Sequence, residues 1–338
     1  MVSAMQAQVV EQGEPAMVYY SPKTTIALDF TYTVETQERG VFADFAEAML
    51  GITQAVKEDK ITYTLQDVRI GTSTSADYSR PHKVVAETDF PLLLSISEKG
   101  LLKGYNVPDE APAPRPNKEE KHKEKPHFDT RHMAPYPEEV LKAATSKAQA
   151  HAAAQQIFHI RETRMYLING EVEHAPADGK AMELVLNELD RQERELIELF
   201  VGKKHHRTEH KQIMWVPEEK ASLWFFSEEN GFTDADNIDA EAISVSAILY
   251  PQRYAVSSMA EEPKGKKKGG VVASQIVYNL PGSAAVKVLY KGDVLGKRTL
   301  PIAQLGIDVP IAKDLFTGNE LPVIVVSEKT GNIVSISK

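Results

Sequence analysis

The sequence contains no cysteine. That absence excludes disulfides, thiolate metal sites, cysteine nucleophiles and lipid attachment through cysteine. Long apolar runs are missing as well, and none approaches the roughly 20 residues that a membrane-crossing helix requires. Positive charge is in the minority, since 39 Lys and Arg stand against 48 Asp and Glu, for a formal net charge of −9. Nonspecific nucleic-acid binding rests on neutralising phosphates, so this balance argues against it. No catalytic, nucleotide-binding or metal-binding signature is present. The chain has 42% hydrophobic and 26% charged residues, as in an ordinary globular protein, and its 338 residues suffice for two domains with cores of their own.

The stretch 138–202 organises the rest. Residues 138–168 are mostly good helix formers, alanine-rich at first. Leu141, Ala144, Ala148, Ala152, Ile157, Ile160 and Leu167 recur at helical spacing and predict one apolar stripe. Asn169-Gly170 is a stop. A second helix is expected to open at Asp178, an N-cap residue, and to end at Gly202, with a stripe from Met182 to Phe200. So short a connection implies a long antiparallel hairpin. Pairing the stripes about the turn brings Arg161 towards Glu188 and Arg164 towards Glu183. The two arginines, three apart, read either as an anion clamp or as ion pairs across the hairpin, the commoner use of such charges. The alanine-rich half has little bulk and is expected to lie close against another surface.

Around this stretch the pattern is β. Thr24–Glu35, 60–70, 83–88, 91–97 and 101–105 read as strands on one side, with a short amphipathic helix at 41–50 stopped by Gly51. On the other side, 207–216, 222–227, 242–250, 271–280, 283–290, 294–300 and 321–327 alternate in the same way. Residues 106–137 hold seven prolines and a dense charge cluster, and read as a mobile linker. Its His122, His127 and His132 read as solvated, as do Lys264 and Lys266–Lys268 in a glycine-rich loop. His206 and His210 are four apart at the start of a strand, where that spacing does not converge on a metal. Asp234, Asp236, Asp239 and Glu241 fail the calcium-loop pattern at its fifth and sixth places and read as an acidic turn. No cofactor is implied. Trp224, with Trp215, Phe225 and Phe226, reads as a core or edge aromatic, or as a stacking surface for a glycan or peptide.

The expected fold class is therefore α+β: two antiparallel, sandwich-like β units flanking the helical hairpin. The division runs as a flexible tail (1–16), a β-rich unit (17–105), a linker (106–137), the hairpin (138–202) and a C-terminal β-rich domain (203–338). Two segments echo each other. FPLLLSISEKGLLKGY at 90–105 and LPVIVVSEKTGNIVS at 321–335 both show a proline-led strand, a Ser-Glu-Lys turn with glycine, and a returning strand. Tyr20-Ser21-Pro22 and Tyr278-Asn279-Leu280-Pro281 rhyme in the same way, which implies an internal duplication.

Several landmarks resemble a family of uncharacterised exported proteins of Bacteroidetes, catalogued as a domain of unknown function (family four-eight-three-one). They are Val18 to Thr24, Ile160 to Arg164 with Gly170, Leu189 to Gly202, Phe226-Ser227 with Gly231, and Thr330-Gly331. The resemblance implies export; the small residues Val2-Ser3-Ala4 and the following Met5-Gln6-Ala7-Gln8 look like the end of a secretory signal. It brings no catalytic residues. A non-enzymatic periplasmic or surface protein, binding an envelope protein or glycan, is the first expectation, with Arg161, Arg164 and Trp224 as its candidate contacts. The alternatives are a carboxylate-dependent hydrolase using residues such as Asp234 or Glu193, and a glycan- or peptide-binding module.

Overall fold

A computed structural model describes residues 16–85, 93–108, 138–171, 178–218, 220–253, 276–316 and 320–337. The N-terminal tail before residue 16, the linker from 109, the 172–177 turn and the lysine-rich loop lie outside these residues. The expectations placed on them stand as sequence readings only.

Alternating β-branched and aromatic residues carry β1 (Ala16–Glu38) well past the expected Thr24–Glu35. Its inward face, Ile26, Leu28, Phe30 and Val34, is fully buried. β1 lies between β2 (Lys60–Val85) and β5 (Lys203–Trp215), antiparallel to both. A second sheet has the order β10 (Asp293–Pro310), β9 (Val277–Tyr290), β8 (Glu241–Tyr250), β6 (Ser222–Ser227) and β7 (Gly231–Thr233). The two sheets share one core in which Phe30 meets Phe226, Ile243, Val286 and Ile302. Each such side chain contributes about 1.5–3 kcal/mol by leaving water. A third sheet runs β12 (Ile333–Ser337), β11 (Val323–Val326), β4 (Leu102–Tyr105) and β3 (Leu94–Ile96), over a core around Tyr19, Tyr105 and Ile324.

The architecture is mixed α and β with three antiparallel sheets, as expected in outline, but the β regions are not two separate flanking units. β5 follows the helices in sequence yet completes the sheet of β1, and β4 pairs with β11 through Tyr105 and Ile324. The cause is patterning. Ile213 and Trp215 of β5 stand opposite Leu28 and Ile26, so pairing extends one apolar face across both strands.

Pro281-Gly282, which separates the expected strands 271–280 and 283–290, lies inside β9. The register with β10 jumps from Ile302/Gly282 to Ile307/Leu280, so Pro281 faces an excursion of four residues and its missing N–H costs no ladder bond. The strand expected at Lys60–Ile70 and the described part of the one expected from Lys83, up to Val85, likewise merge into the single edge strand β2, where Pro81 is tolerated.

The helices are α1 (Ala46–Leu50), α2 (Glu138–Lys142), α3 (Ser146–Asn169) and α4 (Gly179–Val201). The expected single helix from 138 is broken because Thr145 caps α3, its hydroxyl accepting from the amide of Ala148. Gly170 ends α3 in the left-handed region (φ 73°), and Asp178 caps α4 through the amide of Ala181 at 2.7 Å. The alanine face differs from the expected one. Ala150, Ala153 and Ala154 are buried, in phase with Ile157 and Ile160, whereas Leu141, Ala144 and Ala148 are exposed. A run of alanines carries no period of its own, so the bulky isoleucines set the phase. The small residues let α3 approach Phe42, Ala46 and Phe200, and Phe42 and Phe200 meet at 5.4 Å between ring centroids. Backbone bonds from Phe42 N to Leu199 O (2.7 Å) and from Val56 N to Val201 O (2.9 Å) tie α4 to the β1–β2 connection. Among the described residues no helix is long and apolar enough to cross a membrane.

Candidate functional site

The arginines singled out on α3 are brought together, with other partners than the symmetric pairing about the turn implies. Arg161 Nε donates to Glu193 Oε1 (2.6 Å), and Arg164 donates to Glu193 Oε2 (2.6 Å) and to Asp190 (2.5 Å). Glu188 instead receives Arg191 from its own helix. Partners therefore lie five residues or more further along α4, about 7.5 Å or more of helix. The first turn and a half of α4 gains little cover, and Leu184 remains 71% exposed. Burial disfavours charge on Glu193, but its two arginine bonds outweigh that and hold the carboxyl below the usual glutamate range. Both cations thus have carboxylate partners. Trp224 stands opposite Ile243 on the inner side of the second sheet and packs against the core. His206 approaches Glu35 and His210 meets Thr31 across β1–β5, apart from each other's partners.

The most developed polar grouping lies elsewhere, where β1, β2, β9 and β10 meet the Ser-Glu-Lys turn of the third sheet. Tyr19 is stacked on His82 at 5.1 Å, and its hydroxyl both donates to Val277 O (2.8 Å) and accepts from Val277 N (2.7 Å). Burial raises its pKa. Ser21 Oγ lies 2.7 Å from His82 Nε2, and the same nitrogen lies 3.8 Å from Asp308 Oδ2. Arg80 holds that carboxylate oxygen at 2.6 Å. Burial, with Arg80 adding to it, lowers the His82 pKa against the opposing pull of Asp308.

A second set of bonds continues behind this group. Gln304, at the start of the β10 excursion, mimics a strand edge: Thr24 N donates to its Oε1 (2.9 Å) and its Nε2 donates to Thr24 O (2.8 Å). Asn279, buried, donates from Nδ2 to Ala303 O (3.0 Å) and Thr330 O (2.8 Å). Its Oδ1 has no conventional donor. It points at Gly306, where a Cβ would lie under 3.0 Å from Asn279 Oδ1, Leu280 O and Ala303 O. Only the small Cα–H groups of glycine fit among those three oxygens. The two echoing turns make matched anchors: Tyr20 N donates to Gly100 O (2.9 Å), and Asn279 N donates to Gly331 O (2.8 Å).

Ser, His and Asp in one group invite comparison with an acyl-transfer centre, and the wiring does not match. A nucleophile–base–orienter relay needs serine on one imidazole nitrogen and the carboxylate on the other. Here Ser21 and Asp308 both face Nε2, Arg80 occupies the carboxylate, and Ser21 is 4% exposed. The space between these side chains is about 10 Å³, room for about one water. The grouping locks β1, β2 and β10 in register. Among the described residues no three His, Asp or Glu side chains gather in a way that fits a metal ion. Sequence reasoning passed over His82, Asp308 and Gln304, although one signal was present: Thr24 occupies the inward parity of β1 in an otherwise apolar face.

Fold and site together define a protein of mixed α and β structure with three antiparallel sheets and a buried polar seam. The chain belongs to the family described as Domain of unknown function (DUF4831), whose model matches residues 16–334. No curated protein and no solved structure matches it.

Proposed function

We propose that this protein is a non-enzymatic binding or scaffolding protein of the cell envelope, periplasmic or surface-exposed. The observation that carries the reading is the arrangement at His82, where the best-formed polar group is closed, mis-wired for nucleophilic chemistry and devoted to holding β1, β2 and β10 together. Export rests on the family resemblance. We read α3 and α4 as an antiparallel hairpin, supported by the order of the ion pairs, in which the later arginine of α3 reaches the earlier acid of α4. We read the two Ser-Glu-Lys turns as descendants of one duplicated unit, supported by their matched anchors on Tyr20 and Asn279.

Fractionation of cells carrying the tagged full-length protein tests the location, and turnover assays on ester, peptide and glycoside substrates test the chemistry. Recovery in the envelope or periplasm with no turnover is expected. Cytosolic recovery, or hydrolysis abolished by Ser21→Ala, would contradict the reading.

A further inference from the structure

The outer face of the five-stranded sheet carries a charge arrangement that the fold leaves unbalanced. Lys297 stands directly opposite Lys287 across β9 and β10, and Ser246 stands opposite Lys287 across β8 and β9. The next row is Ile248, Ala285 and Thr299. Directly opposed residues of antiparallel strands point to one face, and the intervening Val286 and Val288 fill the core on the other. A depression of about 440 Å³ lies over these six residues, bordered also by Arg298. Ala285, the smallest side chain of the six, stands in the middle of the second row. Neither lysine has a carboxylate partner among the described residues. Like charges set directly opposite destabilise a sheet, and this pair does so in a chain whose net charge is −9.

We propose that this shelf is a binding site for a soluble phosphate monoester of about sugar size. A dianionic phosphate neutralises both ammonium groups at once, where a carboxylate would leave one unbalanced. The Ser246 and Thr299 hydroxyls supply further donors at either end of the two rows. The volume suits a small ligand. The assignment holds whichever compartment the protein occupies and does not rest on the scaffolding role.

Titration calorimetry of the full chain with glucose 6-phosphate tests it, with glucose and inorganic phosphate as comparisons. Saturable binding of the phosphate ester is expected, weakened by added salt and about tenfold or more weaker in Lys287→Gln/Lys297→Gln. Lys287→Arg/Lys297→Arg, which keeps both charges, is expected to retain binding. Without ligand, the double Gln variant should melt at or above the parent temperature, because it removes repulsion; a purely structural lysine pair would lower it. Each of four results would overturn the proposal: no saturable binding, equal binding of glucose, binding unchanged in the double Gln variant, or binding confined to vesicles containing phosphatidic acid.

Discussion

The β body and the helical layer of this protein are held together by different means. In the β body, strands distant in sequence pair within a sheet, β1 with β5 and β4 with β11, and the seam between β1, β2, β9 and β10 is polar: Thr24 with Gln304, Asn279 with Ala303 and Thr330, Arg80 with Asp308. In the helical layer, α3 packs through alanines against Phe200 of α4 and Phe42 of the β1–β2 connection, a wholly apolar contact, and the rim is closed by ion pairs at Glu193. The difference teaches where stability is concentrated. Buried polar groups admit few substitutes, because losing one partner strands the other away from water. Rim charges are screened and forgiving.

Single substitutions separate the two modes of packing. Phe226→Ala empties the centre of the shared core and should cost about 3–5 kcal/mol in chemical denaturation, with one cooperative transition. Two transitions would mean that the β halves are separable after all. Next come the seam residues. Gly306→Ala forces a methyl group among three oxygens, and Asn279→Ala strands two carbonyls; each should cost about 1–3 kcal/mol by the same assay.

Glu193→Gln should cost less, about 1–2 kcal/mol, since Arg161 is 46% exposed while Glu193 is 12% exposed. Its effect also depends on pH. Because the folded carboxyl titrates below its unfolded value, its contribution is full above the unfolded pKa and is lost as pH falls through the folded one. Acid denaturation of Glu193→Gln should therefore be shallower than that of the parent.

The smallest pH-dependent effect is expected at His82, whose folded pKa lies below the ordinary 6.5. The neutral ring is the form the fold accepts, so stability is full above 6.5 and declines as pH falls from there through the folded value. His82→Phe keeps the stacking on Tyr19 and removes that titration. Thermal melts of the variant between about pH 7 and pH 5.5 should drift less than those of the parent.

Local features were legible in the sequence because their causes are local. The caps at Asp178 and Gly170, the stop at Gly51 and the limits of β6 follow from residue types within a turn of each site. The pairing of distant strands was not. The alternation that ends β5 says that Ile213 and Trp215 face inward, but not that they sit beside β1, more than 160 residues earlier. Strand length failed for a related reason. Pro281-Gly282 signals a break only when the partner strand is regular, and the excursion at 303–306 that accommodates it belongs to β10. Of the candidate contacts, Arg161 and Arg164 were correctly read as able to form ion pairs, but their partners depended on a helix offset that no spacing within either helix encodes. The His82 group escaped notice because its members come from three strands, Ser21 lying 61 residues before His82 and Asp308 more than 200 after it.

The interleaving of the two halves can be tested directly in this cysteine-free chain. Thr33 and Thr208 stand opposite each other on the outer face of β1 and β5, joining a strand before the helices to one after them. Thr33→Cys/Thr208→Cys should oxidise quantitatively within the monomer, at a separation typical of disulfides, and leave the far-ultraviolet spectrum unchanged. Failure to close that bridge in the folded protein, with closure only between molecules, would contradict the shared sheet.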